Sequence, residues 1–124
     1  MKRLLLPLSL AVVVLTSPTE AQNPGAIRAF QSGNQLYAAC ETDTGFCMGY
    51  VAGVADSMSL AQVAGGSLAG VVACVPFPVV VGEAKNVAAK YLHEHPELQA
   101  YTAVNLVALA LRDAFPCPQP PPKR

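Results

Sequence analysis

The residues best suited to chemistry in this chain are four cysteines, two histidines and a scatter of carboxylates. The cysteines stand at Cys40, Cys47, Cys74 and Cys117; the histidines, His93 and His95, flank Glu94. The remaining carboxylates of the domain are Glu41, Asp43, Asp56, Glu83, Glu97 and Asp113. A four-cysteine zinc site is built from paired CxxC steps, and none occurs here. His93 and His95 form an HxH pair, but residues two apart on a helix point to different sides, so the pair does not converge on a metal. His93 is expected on the solvent face and His95 at the turn before Pro96. Asp56 follows an apolar helical stretch and suits a cap or an ion pair. An even number of cysteines in an oxidising compartment reads as two disulfides, and that leaves no free thiol to act as a nucleophile. Neither an enzyme nor a metal or organic cofactor is therefore expected.

Four cysteines allow three pairings, and their spacing alone selects none of them. Placing them on helices favours one pairing and leaves the other two open. From Glu83 to Cys117 the chain reads as two amphipathic helices hinged at His95-Pro96. Val87, Ala88, Tyr91 and Leu92 make one apolar face; Tyr101, Val104, Ala108, Leu111 and Phe115 make the other. Pro96 disfavours helix at His95 but fits the first turn of a new one, and Glu97 suits its positive end. Upstream, Ala26 to Cys40 reads as a helix with Ile27, Phe30, Leu36, Tyr37 and Cys40 on its apolar side. Ser32-Gly33-Asn34 weakens its middle, and Ser32 or Asn34 could instead cap a later start. Glu41 to Gly45 is a turn by composition, and Phe46 to Met58 a second helix. Cys40 and Cys47 then flank one helix-to-helix turn. Cys74 precedes the third helix, and Cys117 ends its antiparallel partner. The expected pairs are Cys40 with Cys47 and Cys74 with Cys117.

Two stretches stand out for what they lack. Gly49 and Gly53 lie one turn apart in the second helix, where each glycine costs ~1 kcal/mol relative to alanine. Such a pair lets another backbone approach closely. The approach is expected within the domain first and between two copies second. From Ser57 to Gly82 there is no charged residue, yet Gly65-Gly66, Gly70 and Pro76-Phe77-Pro78 interrupt the run, so no membrane span is expected. The run reads as a glycine-rich loop followed by an extended, half-buried segment from Val71 to Val81. Gly65, Gly66 and Ser67 are candidates to meet a partner there, as are His93, His95 and Glu97 at the proline corner.

Residues 1–21 have the layout of a cleaved secretory signal: Lys2-Arg3, an apolar Leu4 to Leu15, then small residues at Thr19 and Ala21. Removing Lys2, Arg3 and Glu20 from eight basic and eight acidic residues leaves six against seven. A charge near −1 gives no reason to expect nucleic acid or an anionic membrane as partner. Residues 22–117 are long enough for one core, and 118–124, PQPPPKR, form a proline-rich tail with nothing to bury.

Five blocks taken together carry a family resemblance: GNQLYAAC (33–40), FCMGYVAGVAD (46–56), CVP (74–76), KYLHEHPE (90–97) and LVALALRDAFPC (106–117). In this order and spacing they resemble the Rap/Tai family of immunity proteins against type VI secretion amidase effectors. The resemblance implies an all-helical periplasmic domain, usually a homodimer with internal disulfides, that plugs the groove of a peptidoglycan-cleaving cysteine amidase. It also implies that many relatives carry the domain without a demonstrated effector. The chain departs from the family after CVP, where Val80 and Glu83 hold the places of a cap threonine and a glutamine, and Pro78 replaces a glycine. Valine cannot accept the exposed N–H groups, so that helix start should be weaker by ~1 kcal/mol.

The expected fold is thus all-α, a small four-helix domain of two helix hairpins stapled by two disulfides. The expected function is an immunity-type inhibitor of a secreted amidase. The alternative is a periplasmic stress or assembly protein of the same fold with no amidase partner. The first test is the mature mass: intact-mass measurement of the exported protein should give a chain beginning at Gln22 and lighter by four protons for two disulfides.

Overall fold

The computed structural model describes residues 29–119 and 122–123; the expected signal segment lies outside them. Four α-helices follow in order: α1 Gly33–Thr42, α2 Thr44–Val63, α3 Val81–Glu94 and α4 Ala103–Ala114, with a short 3-10 turn at Pro96–Leu98. The described residues contain isolated bridges but no strand. Helices α1 and α2 form one hairpin and α3 and α4 the other, and α2 packs across α3 to join them.

The core follows helical spacing. Helix α2 buries Cys47, Val51, Val54 and Met58; α3 buries Ala84, Ala88 and Leu92. Helix α4 adds Ala103, Leu106, Val107, Ala108, Ala110 and Leu111, and Leu36 enters from α1. Leu36, Met58, Leu92 and Leu111 are the largest side chains wholly withdrawn from water, each worth roughly 1.5–3 kcal/mol. The alanines of α3 keep its axis close to its neighbours. Small residues thus set the spacing and large ones fill it.

Helix α1 begins seven residues later than Ala26. Ser32 is its N-cap: its Oγ accepts from Gln35 N, and Gln35 Oε1 accepts from Ser32 N, a complete capping box. Of the two starts expected, the later one is adopted: Ser32 caps the helix, and Ser32-Gly33-Asn34 is its beginning rather than a weakened middle. Phe30 is therefore exposed rather than on an apolar helix face, and Ile27 falls outside the described residues. The turn expected at Glu41 to Gly45 shrinks to Asp43, which closes α1 and caps α2 through Oδ1 to Phe46 N at 3.0 Å. Helix α2 runs on past Met58 to Val63.

The proline corner also differs from expectation. Pro96 opens the 3-10 turn, and α4 starts only at Ala103. The carbonyls in between are engaged elsewhere: Gln99 O accepts from Asn34 N at 2.7 Å and Tyr101 O from Gly33 N at 2.8 Å. In return Ala103 N donates to Gln31 O at 2.9 Å, so the N-termini of α1 and α4 meet as a short antiparallel bridge, Ser32 to Thr102. Helix N-termini leave their first N–H groups without internal partners, and here each chain start supplies acceptors for the other. Tyr101 is consequently exposed and does not belong to the α4 face. Gln99 folds back, its Nε2 donating to Leu92 O at 2.7 Å and closing the end of α3.

Both disulfides are the expected ones, Cys40–Cys47 and Cys74–Cys117. By chain entropy the bridge spanning 43 residues stabilises by about 4 kcal/mol and the one spanning 7 by about 2. The cap deficit at α3 is also present: Val80 is its N-cap, with extended backbone and no side-chain bond.

Two substitutions test this account. A Cβ on Gly33 would stand 2.5 Å from Leu106 Cδ1 and 2.8 Å from Gln99 O. Gly33→Ala should therefore destabilise by about 1–3 kcal/mol, read as a lowered urea midpoint. Val80→Thr, at a cap position whose backbone already has the right geometry, should stabilise by about 0.5–1 kcal/mol in the same titration.

Candidate functional site

The uncharged run from Ser57 to Gly82 carries the last turns of α2 into a looped segment that is pinned at several points. Helix α2 stops in a Schellman motif: Gly65 N donates to Gln62 O at 2.9 Å and Gly66 N to Ala61 O at 2.8 Å. Gly65 has a φ of +80°, which suits glycine, so its first task is to end the helix. After the exposed Ser67 comes a two-residue hairpin. Leu68 and Val71 exchange both backbone hydrogen bonds, at 3.1 and 2.9 Å, and Ala69 and Gly70 between them have φ values of 51° and 79°. Positive φ at both central positions is what the tightest hairpin turn demands. Ala69 is the one non-glycine residue with positive φ among those described. Leu68 and Val71 rest on the core, so the exposed Ala69-Gly70 tip stands on a packed base.

Gln62 ties this segment back to α2. Its Nε2 donates to Met58 O at 3.2 Å and to Ala73 O at 2.9 Å, and Cys74 N donates to Phe115 O at 2.8 Å beside the Cys74–Cys117 bridge. Beyond it, Pro76 O accepts from Val79 N at 3.0 Å, closing a turn over Phe77 and Pro78. Val75 and Val79 face the core while Phe77 between them is wholly exposed. Leu60 and Val63 add exposed apolar surface at the end of α2. Phe77 carried no mark in the sequence beyond its two flanking prolines.

The proline corner lies at the other end of α3, about 20 Å away at 1.5 Å per residue. The structure separates its two histidines. His93 Nδ1 pairs with Tyr37 Oη at 3.0 Å, linking α3 to α1. His95 Nδ1 pairs with Glu97 Oε1 at 3.0 Å and its ring lies 4.3 Å from that of Tyr91. Backbone hydrogen bonding at Glu97 and the His95 contact hold the Glu97 carboxyl below its ordinary range. Burial raises the Tyr91 hydroxyl, with Asp113 adding to it. No cluster of three or more His, Cys, Asp or Glu side chains able to hold a metal occurs among the described residues. Asp56 is exposed on α2.

Gly49 and Gly53 do not serve the packing expected of them inside the domain. A Cβ on either would meet nothing within 4 Å, and both lie on the exposed side of α2, opposite the buried Val51, Val54 and Met58. A twenty-residue helix shows water one face whatever its composition, and the core here draws only on the other. No helix among the described residues is long and apolar enough to cross a membrane.

The family model of the Rap1a immunity proteins matches residues 32–117. No curated protein and no solved structure matches the chain. The matched region starts on the Ser32 cap and ends on Cys117, so it spans all four helices, both bridges and the hairpin. The chain therefore belongs to the Rap1a immunity protein family.

Proposed function

We propose that this protein is a periplasmic immunity protein that neutralises a secreted peptidoglycan amidase by seating the Gly65–Gly70 loop in the enzyme's active-site groove. Family membership supports an immunity role against a secreted effector. The five sequence blocks and their likeness to the Rap/Tai proteins support an amidase as the target. The observation that favours this loop over the His93–Glu97 corner is its backbone. A Schellman stop, a paired two-residue turn and a bridged base hold it in one conformation before any partner arrives. A loop ordered in advance loses little entropy on binding, and one without charge does not have to desolvate any in a narrow groove.

Inhibition then needs no chemistry from this chain. Ser67, Ala69 and Gly70 fill space that substrate would occupy, and Phe77 on its proline-braced turn supplies an aromatic anchor beside them. The exposed Gly49/Gly53 side of α2 is smooth enough for a second copy to approach, in keeping with a homodimer. Two disulfides suit an oxidising compartment such as the periplasm.

The test is hydrolysis of purified peptidoglycan by cysteine-histidine amidases encoded beside this chain's gene, with and without the mature protein. Wild type should slow the cognate enzyme. Ala69→Asp places a charge at the tip yet tolerates positive φ, so it should keep the fold by circular dichroism and weaken inhibition at least tenfold. His95→Ala should inhibit as wild type does. Loss of inhibition in His95→Ala with retention in Ala69→Asp would move the contact to the corner; no slowing by wild type of any such amidase would remove the amidase reading.

A further inference from the structure

The two disulfides are bridged alike but housed differently. Cys40 and Cys47 lie within α1 and α2, and the Cys47 side chain is wholly buried. Cys74 is exposed and Cys117 half-buried, both in irregular chain outside the helices. Shallow recesses open on either side of that second bridge, one bordered by Val72 and Arg112 at Cys117, the other by Ser59 and Val63 at Cys74. Thiol–disulfide exchange needs an attacking sulfur to approach in line with the S–S bond. The outer bridge offers that approach at the exposed Cys74, whereas the inner one presents a half-buried Cys40 joined to a wholly buried Cys47.

Gln62 adds a second, independent observation. Both protons of its amide are engaged, by Met58 O and Ala73 O, and this fixes which way the group faces. Its Oε1 is thereby turned toward both sulfurs of the outer bridge, 4.0 Å from Cys74 Sγ and 3.8 Å from Cys117 Sγ. A disulfide sulfur has no proton to donate to it, whereas a thiol S–H does. The side chain thus presents an acceptor that only the reduced pair can use.

We infer that Cys74–Cys117 is a thiol-exchange site, reduced selectively by a dithiol oxidoreductase while Cys40–Cys47 stays closed, with Gln62 as the residue that favours its reduced form. In the first step a thiolate of the reductant attacks Cys74 Sγ, the more exposed sulfur. A mixed disulfide forms, the Cys74–Cys117 bond breaks, and the electron pair leaves on Cys117 Sγ, which takes a proton and donates it toward Gln62 Oε1. The reductant's second thiol then attacks the mixed disulfide and releases Cys74, which is protonated in turn. The reductant ends as a disulfide and the bridge as two thiols, with two electrons and two protons transferred. Opening it loosens the stretch after the hairpin from the end of α4, leaving Cys74 N to Phe115 O as the backbone hydrogen bond between them.

The proposal does not depend on which partner the loop meets, and its test uses the mature protein alone. The folded chain is equilibrated with graded ratios of reduced to oxidised dithiothreitol, quenched with an alkylating agent and mapped by peptide mass. Cys74 and Cys117 should be alkylated at a ratio at least tenfold lower than Cys40 and Cys47, while far-UV circular dichroism stays helical. Gln62→Met keeps the side-chain length but removes the acceptor; it should raise the ratio needed to open the outer bridge at least threefold and leave the inner one unchanged. Should Gln62→Met perturb the fold, the order of reduction in wild type still decides. Reduction of both bridges at one ratio, or of Cys40–Cys47 first, overturns the exchange site. An unchanged midpoint in a folded Gln62→Met chain overturns the role of Gln62.

Discussion

The meeting of two helix N-termini at Gly33 is the constraint on which the remaining architecture depends. Helices α1 and α4 start side by side, which brings two positive dipole ends and several unpaired N–H groups together. Three backbone hydrogen bonds between residues 31–34 and 99–103 resolve this, and they require the chains to approach so closely that no Cβ fits at Gly33. The same three bonds keep residues 99–102 out of α4. They thereby decide where α4 begins, which of its side chains face inward and where Tyr101 emerges.

Fixing α4 fixes its far end. Phe115 O and Cys117 hold the segment that leaves α2, so the junction at one end of α4 and the bridge at the other frame the hairpin between them. Gln62 of α2 links the same segment to its helix by one donated bond, to Ala73 O, while its other amide proton stays with Met58 O of α2. The result is an uncharged, glycine-containing loop with little freedom, a combination that composition alone would assign to a flexible linker. A partner meets a shaped surface rather than a mobile one, which matters because ordering a loop on binding would subtract from affinity.

The weak point in this frame is the start of α3. Val80 leaves the first N–H groups of that helix without a side-chain acceptor, and Phe77 stands in water just before it. A folded chain rarely exposes a rigid aromatic beside an uncapped helix for the sake of stability. Both features lie on the presented end, whereas the well-capped starts of α1 and α2 lie in the half held by Cys40–Cys47.

How much of this was legible beforehand depended on distance along the chain. Apolar residues three and four apart announced the helices, small polar residues announced their turns, and the placement of cysteines on those helices favoured the pairing that forms. Val80 could be read as a missing cap because the family resemblance places a threonine there, and a cap acts on its own next two or three residues. The 3-10 turn at Pro96, the pairing of Gly33 and Asn34 with residues 99–101, the exposure of Gly49 and Gly53 and the facing of Gln62 toward two sulfurs could not be read that way. Each is settled by atoms far away in sequence: Gln99 and Tyr101 for Gly33, Ala73 for Gln62, and the choice of which face of α2 the core takes. The sequence by itself determined local backbone preference and the absence of charge from residues 57–82, and it favoured the cysteine pairing that the fold adopts. Only the tertiary structure decided which carbonyls were already taken and which surfaces were left in water, because those depend on long-range partners that no local period encodes.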